Sequence, residues 1–104
     1  ISFAEHNGVY SVAYKKIYDW VSRIKGDVWE DKPMLLLATS PGGRGAKGVL
    51  SIATNAYARK NTTGIDSFSL PSFNEHFSEK LGIQDDLLRK DLDEKIKNFQ
   101  TQLL

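Results

Sequence analysis

Apolar and polar positions along the chain fall into three strand-then-helix units. Ile1-Ser2-Phe3-Ala4 reads as the end of a strand, and Glu5-His6-Asn7-Gly8 follows with the Asn-Gly pair that marks a turn. From Ser11 onward Ala13, Ile17, Trp20, Val21 and Ile24 recur at helical spacing, which predicts a helix with that stripe on the core and an end at Gly26. Lys32-Pro33 leads into Met34-Leu35-Leu36-Leu37-Ala38, an unalternated apolar run of the kind found in parallel strands covered on both faces. The glycine-rich turn Ser40-Pro41-Gly42-Gly43-Arg44-Gly45 comes next, and Ala46, Val49, Leu50, Ala53, Ala56 and Tyr57 then share one helical stripe. A turn from Asn61 to Gly64 precedes Ile65 to Leu70, whose alternation predicts an edge strand with one face on the core. Pro71 to Gly82 reads as a loop with Phe73 and Phe77 packing back. Leu88, Leu92, Ile96, Phe99 and Leu103 mark a final amphipathic helix capped near Asp85.

Strands alternating with helices predict an α/β fold: a parallel sheet with right-handed crossovers and helices on both faces. Residues 1–104 form one domain in this reading, because that length supports a single modest core. Ligands of such sheets bind at the carboxyl ends of the strands. Function is therefore expected in three segments, Glu5 to Tyr10, Ser40 to Gly45 and Pro71 to Phe77.

Composition narrows the choice of chemistry. Lys plus Arg number 14 against 13 for Asp plus Glu, a balance that calls for neither nucleic acid nor an anionic membrane. The absence of cysteine excludes disulfides, thiolate metal sites and a cysteine nucleophile within these residues. The longest apolar run, Met34 to Ala38, is far shorter than the ~20 residues of a membrane span, so a cytoplasmic protein is expected. Ile1 lies inside an apolar stretch, and the reading expects a chain cut within a strand.

Gly43-Arg44-Gly45-Ala46-Lys47-Gly48 formally fits the dinucleotide pattern G-x-G-x-x-G between a strand and a helix. That pattern also needs an acidic residue at the end of the next strand, and Asp66 lies at the start of its strand. A phosphate loop of the Walker type is excluded, since Ala46 precedes Lys47 and Gly48 follows it. What survives is a run of small residues exposing backbone N–H groups to a planar or anionic ligand, with an unliganded connection as the plain alternative. Glu5, His6, Asn7 and Tyr10 put four polar groups into one turn, which could serve acid-base chemistry, although turns favour such side chains in any case. His6 and His76 lack the spacing of a metal site. Trp20 is expected in the core, and Asp19 in a local pair.

Two segments in order carry a resemblance. Ala4-Glu5-His6-Asn7-Gly8, followed by Tyr14-Lys15-Lys16-Ile17-Tyr18-Asp19-Trp20, is similar to the pattern P-E-Y-N-G-S … L-K-N-A-I-D-W of NADPH-dependent FMN reductases. Lys32-Pro33 through Ser40-Pro41-Gly42-Gly43-Arg44-Gly45 resembles the K-P … S-P-G-x-x-G segment of the same family. The resemblance implies a flavodoxin-like sheet of order 2-1-3-4-5, of which this chain supplies strands 3, 4 and 5 as a truncated set of three βα units. The missing portion would be on the order of 70 residues and would include the loop that cradles the FMN phosphate. The implied site consists of Glu5, His6, Asn7 and Gly8 beside the flavin ring, with Ser40, Pro41, Gly42, Gly43 and Arg44 at its pyrimidine edge. Ala4, His6 and Val9-Tyr10 depart from the family pattern, which leaves the electron acceptor open.

The implied activity is hydride transfer from NAD(P)H to bound FMN and on to a flavin, quinone or similar acceptor, with FMN as cofactor and NAD(P)H as co-substrate. No catalytic side chain is singled out, and no metal, nucleic-acid or membrane partner is expected. A first strand with an unpaired edge invites association, so a homo-oligomer is expected, and FMN binding by these residues alone is expected to be weak or absent. The competing reading is a non-catalytic flavodoxin-like binding or interaction module.

Overall fold

A computed structural model describes residues 1–104. The chain runs β1 (Ser2–Phe3), β2 (Glu5–His6), β3 (Val9–Tyr10), α1 (Val12–Ile24), β4 (Met34–Thr39), α2 (Lys47–Ala58), β5 (Ile65–Leu70), α3 (Phe73–His76), β6 (Phe77–Ser78), β7 (Gly82–Ile83) and α4 (Asp86–Leu103). The main sheet has the order β1-β4-β5 with both pairings parallel. This is the α/β architecture expected from the sequence, and its order and direction are those of strands 3, 4 and 5 in a flavodoxin-like sheet.

Register assigns the two faces of the sheet. Met34, Leu36 and Ala38 of β4 are buried on one side and pack with Val49, Leu50, Ala53 and Tyr57 of α2, with Phe3 completing the cluster. Leu36 and Val49 are fully buried, and each such side chain contributes about 1.5–3 kcal/mol by leaving water. On the opposite side α4 runs beneath β4 and β5, and Phe99 shares a groove with Leu35 and Leu37. Phe68 and Leu70 are buried on this second side, whereas Ile65 packs against the first cluster. The alternation in β5 therefore feeds both faces, where the sequence reading gave it one. Asp85 caps α4 as expected, its carboxylate accepting from the Leu88 N–H at 3.0 Å.

Helix α1 starts as expected, with the Ser11 hydroxyl accepting from the Tyr14 N–H at 3.2 Å. It is rotated relative to the sequence reading. Ile17, Trp20 and Ile24 are 66%, 68% and 86% exposed, and Ala13 and Val21 are also on the surface. The inward face is aromatic: Tyr14 and Tyr18 pack against the core cluster together with Tyr10 and Trp29. Trp20 is thus a surface residue, and the reason is competition between two apolar stripes on one helix. Tyrosine satisfies the inward position because its ring fills space while its hydroxyl finds a partner. Tyr14 meets Phe3 edge-on at 5.1 Å between ring centroids, and the Tyr14 and Tyr57 hydroxyls are hydrogen-bonded.

Beyond β5 the expected loop contains structure of its own. The short helix α3 leads into a small antiparallel ribbon, β6 with β7, and Phe73 stacks on Phe77 at 4.9 Å.

Candidate functional site

The first candidate segment is a two-stranded hairpin rather than an open loop. Glu5 pairs with Tyr10 and His6 with Val9, and Asn7-Gly8 makes the turn with φ of 51° and 84°. Positive φ at both central residues is what a tight hairpin of this hand requires, and Asn-Gly supplies it with little strain. His6, Asn7 and Gly8 are exposed at the tip, while Glu5 is half-buried at the base.

Glu5 points to the second segment. Its Oε2 accepts the Val49 N–H of α2 at 2.9 Å. Ala46, at the start of that helix, is left-handed with φ 60° and provides no side-chain cap, so a carboxylate from another element takes that role. An acidic group at the first turn also meets the positive end of the helix dipole. The approach is tight, because a Cβ on Gly48 would stand 2.8 Å from Glu5 Oε2 and 3.0 Å from the Gly8 carbonyl oxygen. The third glycine of the formal G-x-G-x-x-G pattern thus admits the hairpin rather than a pyrophosphate.

The glycine-rich segment is held in turn by the third. Ser72 N–H donates to the Gly42 carbonyl at 2.9 Å and Phe73 N–H to that of Ser40 at 3.0 Å. The Ser69 hydroxyl donates to the Gly45 carbonyl at 2.6 Å, and the Thr39 hydroxyl to that of Leu70 at 2.7 Å. The Ser40 hydroxyl donates within the turn to the Gly42 carbonyl at 3.2 Å. Three segments far apart in sequence thus make one continuous rim at the carboxyl ends of β1, β4 and β5.

What the rim offers chemically is a set of donors. The N–H groups of Gly42, Gly43 and Arg44 donate to no atom of the chain, and all three residues are exposed. A Cβ on Gly42 or Gly43 would meet nothing within 4 Å, so their outer side is open. Arg44 forms no ion pair, and Pro41 is exposed beside it. Because Glu5 already occupies the α2 N-terminus, a second anion there would meet a carboxylate. The N–H groups of Gly42, Gly43 and Arg44, which lie in the turn before that helix, stay free to donate to acceptor atoms of a ligand. The rim forms one wall, not an enclosed cleft: none of the larger grooves is lined by His6, Asn7, Gly42 or Gly43.

Several polar groups near the rim are already engaged. Glu5 is engaged with the α2 backbone, and the Tyr10 phenol is pushed up by burial first and by the neighbouring Tyr57 hydroxyl second, which keeps it protonated. His76 turns Nδ1 toward the Pro71 carbonyl at 2.8 Å. Sequence reasoning named Glu5, His6, Asn7, Gly8 and the Ser40–Arg44 segment, and the structure places them on one rim. It missed the tie from Glu5 to Val49, the role of Gly48, and the anchoring by Ser69 and Ser72. Each of these contacts joins residues far apart in sequence, so no local pattern discloses it.

Comparison with curated proteins and with solved structures gives no significant match. The family model described as NADPH-dependent FMN reductase matches residues 1–75, the stretch that runs from β1 through the hairpin and the glycine-rich turn into α3. With the motifs, the parallel sheet order and this match in agreement, the chain belongs to the NADPH-dependent FMN reductase family.

Proposed function

We propose that the chain serves an NAD(P)H-dependent FMN reductase-like oxidoreductase, with Glu5 to Gly8 and Ser40 to Arg44 forming the wall on which a flavin ring rests. The observation that carries this reading is the hairpin tied to α2 through Glu5 and Val49, with the N–H groups of Gly42, Gly43 and Arg44 unpartnered in the turn that leads into that helix. When bound, FMN supplies the chemistry of accepting hydride from NAD(P)H and of returning electrons to a flavin, quinone or similar acceptor.

The protein's own part is positional and electrostatic. Backbone N–H groups of Gly42 and Gly43 would donate to acceptor atoms of the ring, and those of Asn7 and Gly8 would hold it from the hairpin side. Donors fixed in advance cost no reorganisation when negative charge develops on the ring. Arg44 adds a cation to the same edge. His6, exposed at the hairpin tip, is placed to border the open face where nicotinamide and acceptor alternate. The phosphate of FMN needs donors from elsewhere in the complete protein, and copies of the protein associate.

The experiment is NADPH oxidation by the full-length protein with added FMN, for the natural sequence and for Arg44→Gln. Turnover in the first and a loss of about fivefold in the second, equivalent to ~1 kcal/mol for an exposed charge, are expected. No NADPH oxidation with any acceptor, together with no flavin retained, would instead favour a non-catalytic binding module.

A further inference from the structure

Helix α2 has two unlike faces. Val49, Leu50, Ala53 and Tyr57 are buried in the core, whereas Lys47, Ser51, Thr54 and Asn55 follow the spacing of one polar face that looks toward β5. In β5, Ser67 and Ser69 alternate with the buried Phe68 and Leu70 and so stand on the side of α2. Between the two elements, along the free edge of the sheet, runs a groove of about 550 Å³ whose lining is mostly polar. It opens on the rim: Ser69, which lines it, holds the Gly45 carbonyl, and the Lys47 N–H donates to the Arg44 carbonyl at 3.2 Å. From Lys47 to Asn55 it extends about 12 Å along the helix axis.

The groove carries two cations and one anion. Lys95 enters from α4, donates to the Ser67 carbonyl at 2.7 Å and pairs with Asp91 at 3.3 Å, whereas Lys47 is exposed and forms no ion pair. The excess positive charge therefore sits on the only charged residue of α2. The side chains of Ser51, Thr54, Asn55 and Ser67 hydrogen-bond to no group of the chain and remain open beside that cation. Glu5 reaches α2 from the hairpin side and does not line the groove.

We propose that this groove holds the phosphorylated adenosine ribose of NADPH, with Lys47 meeting the phosphate that NADH lacks. The proposal rests on the oxidoreductase reading above and adds the place of the co-substrate's far end and the residue that chooses between the two nucleotides. A ribose presents hydroxyls that both donate and accept, which serine, threonine and asparagine side chains match, and a phosphate monoester takes the point charge of an ammonium. An apolar or cationic ligand would find no counterpart on this lining. Because the groove begins at the rim proposed for the flavin ring, a dinucleotide whose nicotinamide lies over that ring can run outward along α2. Lys95, tied to Ser67 and Asp91, supports the shape of the groove, and Lys47 keeps its charge free for the ligand.

The test compares the full-length protein with Lys47→Gln, Lys47→Arg and Ser51→Asp, all at exposed positions. Adenosine bisphosphate, which carries the ribose phosphate of NADPH, and AMP, which lacks it, are titrated calorimetrically with no reduction step. The bisphosphate is expected to bind at least about fivefold more tightly than AMP in the natural sequence and in Lys47→Arg, and the difference to vanish in Lys47→Gln and Ser51→Asp. In steady-state turnover the latter two variants are expected to raise KM for NADPH about fivefold, with kcat and the KM for NADH unchanged. Equal binding of bisphosphate and AMP by the natural protein, or a Lys47→Gln change that weakens NADPH and NADH alike, would overturn the subsite. Lys47-dependent binding of the bisphosphate by a protein that oxidises neither nucleotide would support the subsite and overturn the oxidoreductase reading.

Discussion

The Glu5 carboxylate and the missing side chain of Gly48 are two halves of one contact. One supplies the acceptor that α2 lacks at its first turn, and the other leaves room for the hairpin to bring that acceptor in. Replacing Glu5 with Ala removes a charge-assisted cap and should cost about 1–2 kcal/mol in urea unfolding, whereas Gln, which keeps an acceptor oxygen, should cost less. Gly48→Ala is the sharper case, since helix propensity alone would make it stabilising by up to ~1 kcal/mol. The close approach of Glu5 Oε2 and the Gly8 carbonyl reverses the sign, and a net loss of about 1–3 kcal/mol is expected. A stabilised Gly48→Ala protein would show that the hairpin does not lie against α2. The tie spans 44 residues of sequence, which is why no local pattern discloses it.

At the scale of elements, helix α1 shows what hydropathy can and cannot specify. Its limits, its Ser11 cap and its amphipathic character follow from the sequence, but the choice of inward face does not. Two stripes competed, and the structure turns Tyr14 and Tyr18 inward because the core beneath them is built of rings: Phe3, Tyr10, Trp29 and Tyr57. The parallel strand β4, by contrast, was legible in its unalternated run Met34 to Ala38, while the strand order was implied by the family resemblance and not by the pattern. The short hairpin was legible only as its Asn-Gly turn, being too brief to show a period. This ring packing has a consequence at high pH. Burial pushes the Tyr14 phenol up to about 12, and it raises Tyr10 and Tyr57 as well. The folded state holds these protons more tightly than the unfolded chain, so their contribution to stability is complete below about pH 10 and is lost as pH climbs toward the folded value. Absorbance at the phenolate band should rise late and together with loss of helical signal. Tyrosines that all titrate near the free value while the fold stays intact would contradict the packing of α1 on α2.

For the molecule as a whole, the three-stranded sheet does one thing for function: it brings three distant segments to a single edge. The hairpin follows β1, the glycine-rich turn follows β4 and the Pro71–Phe77 segment follows β5. Parallel strands put all three at their carboxyl ends, and backbone bonds from Ser72 and Phe73 to the Gly42 and Ser40 carbonyls lock two of them together. The wall this builds carries free backbone donors, and the N-terminus of α2 beside it is capped by a carboxylate. Under the proposed function these donors would meet acceptor atoms at the edge of a flavin ring. The most direct measurement is a titration of FMN into the full-length protein, followed by quenching of flavin fluorescence, beside the same titration on a Gly42→Val and Gly43→Val double variant. Saturable quenching by the natural sequence, weakened at least tenfold in the variant, is the predicted result. Equal affinity in the two proteins, or no binding in either, would contradict the placement of the flavin on this rim.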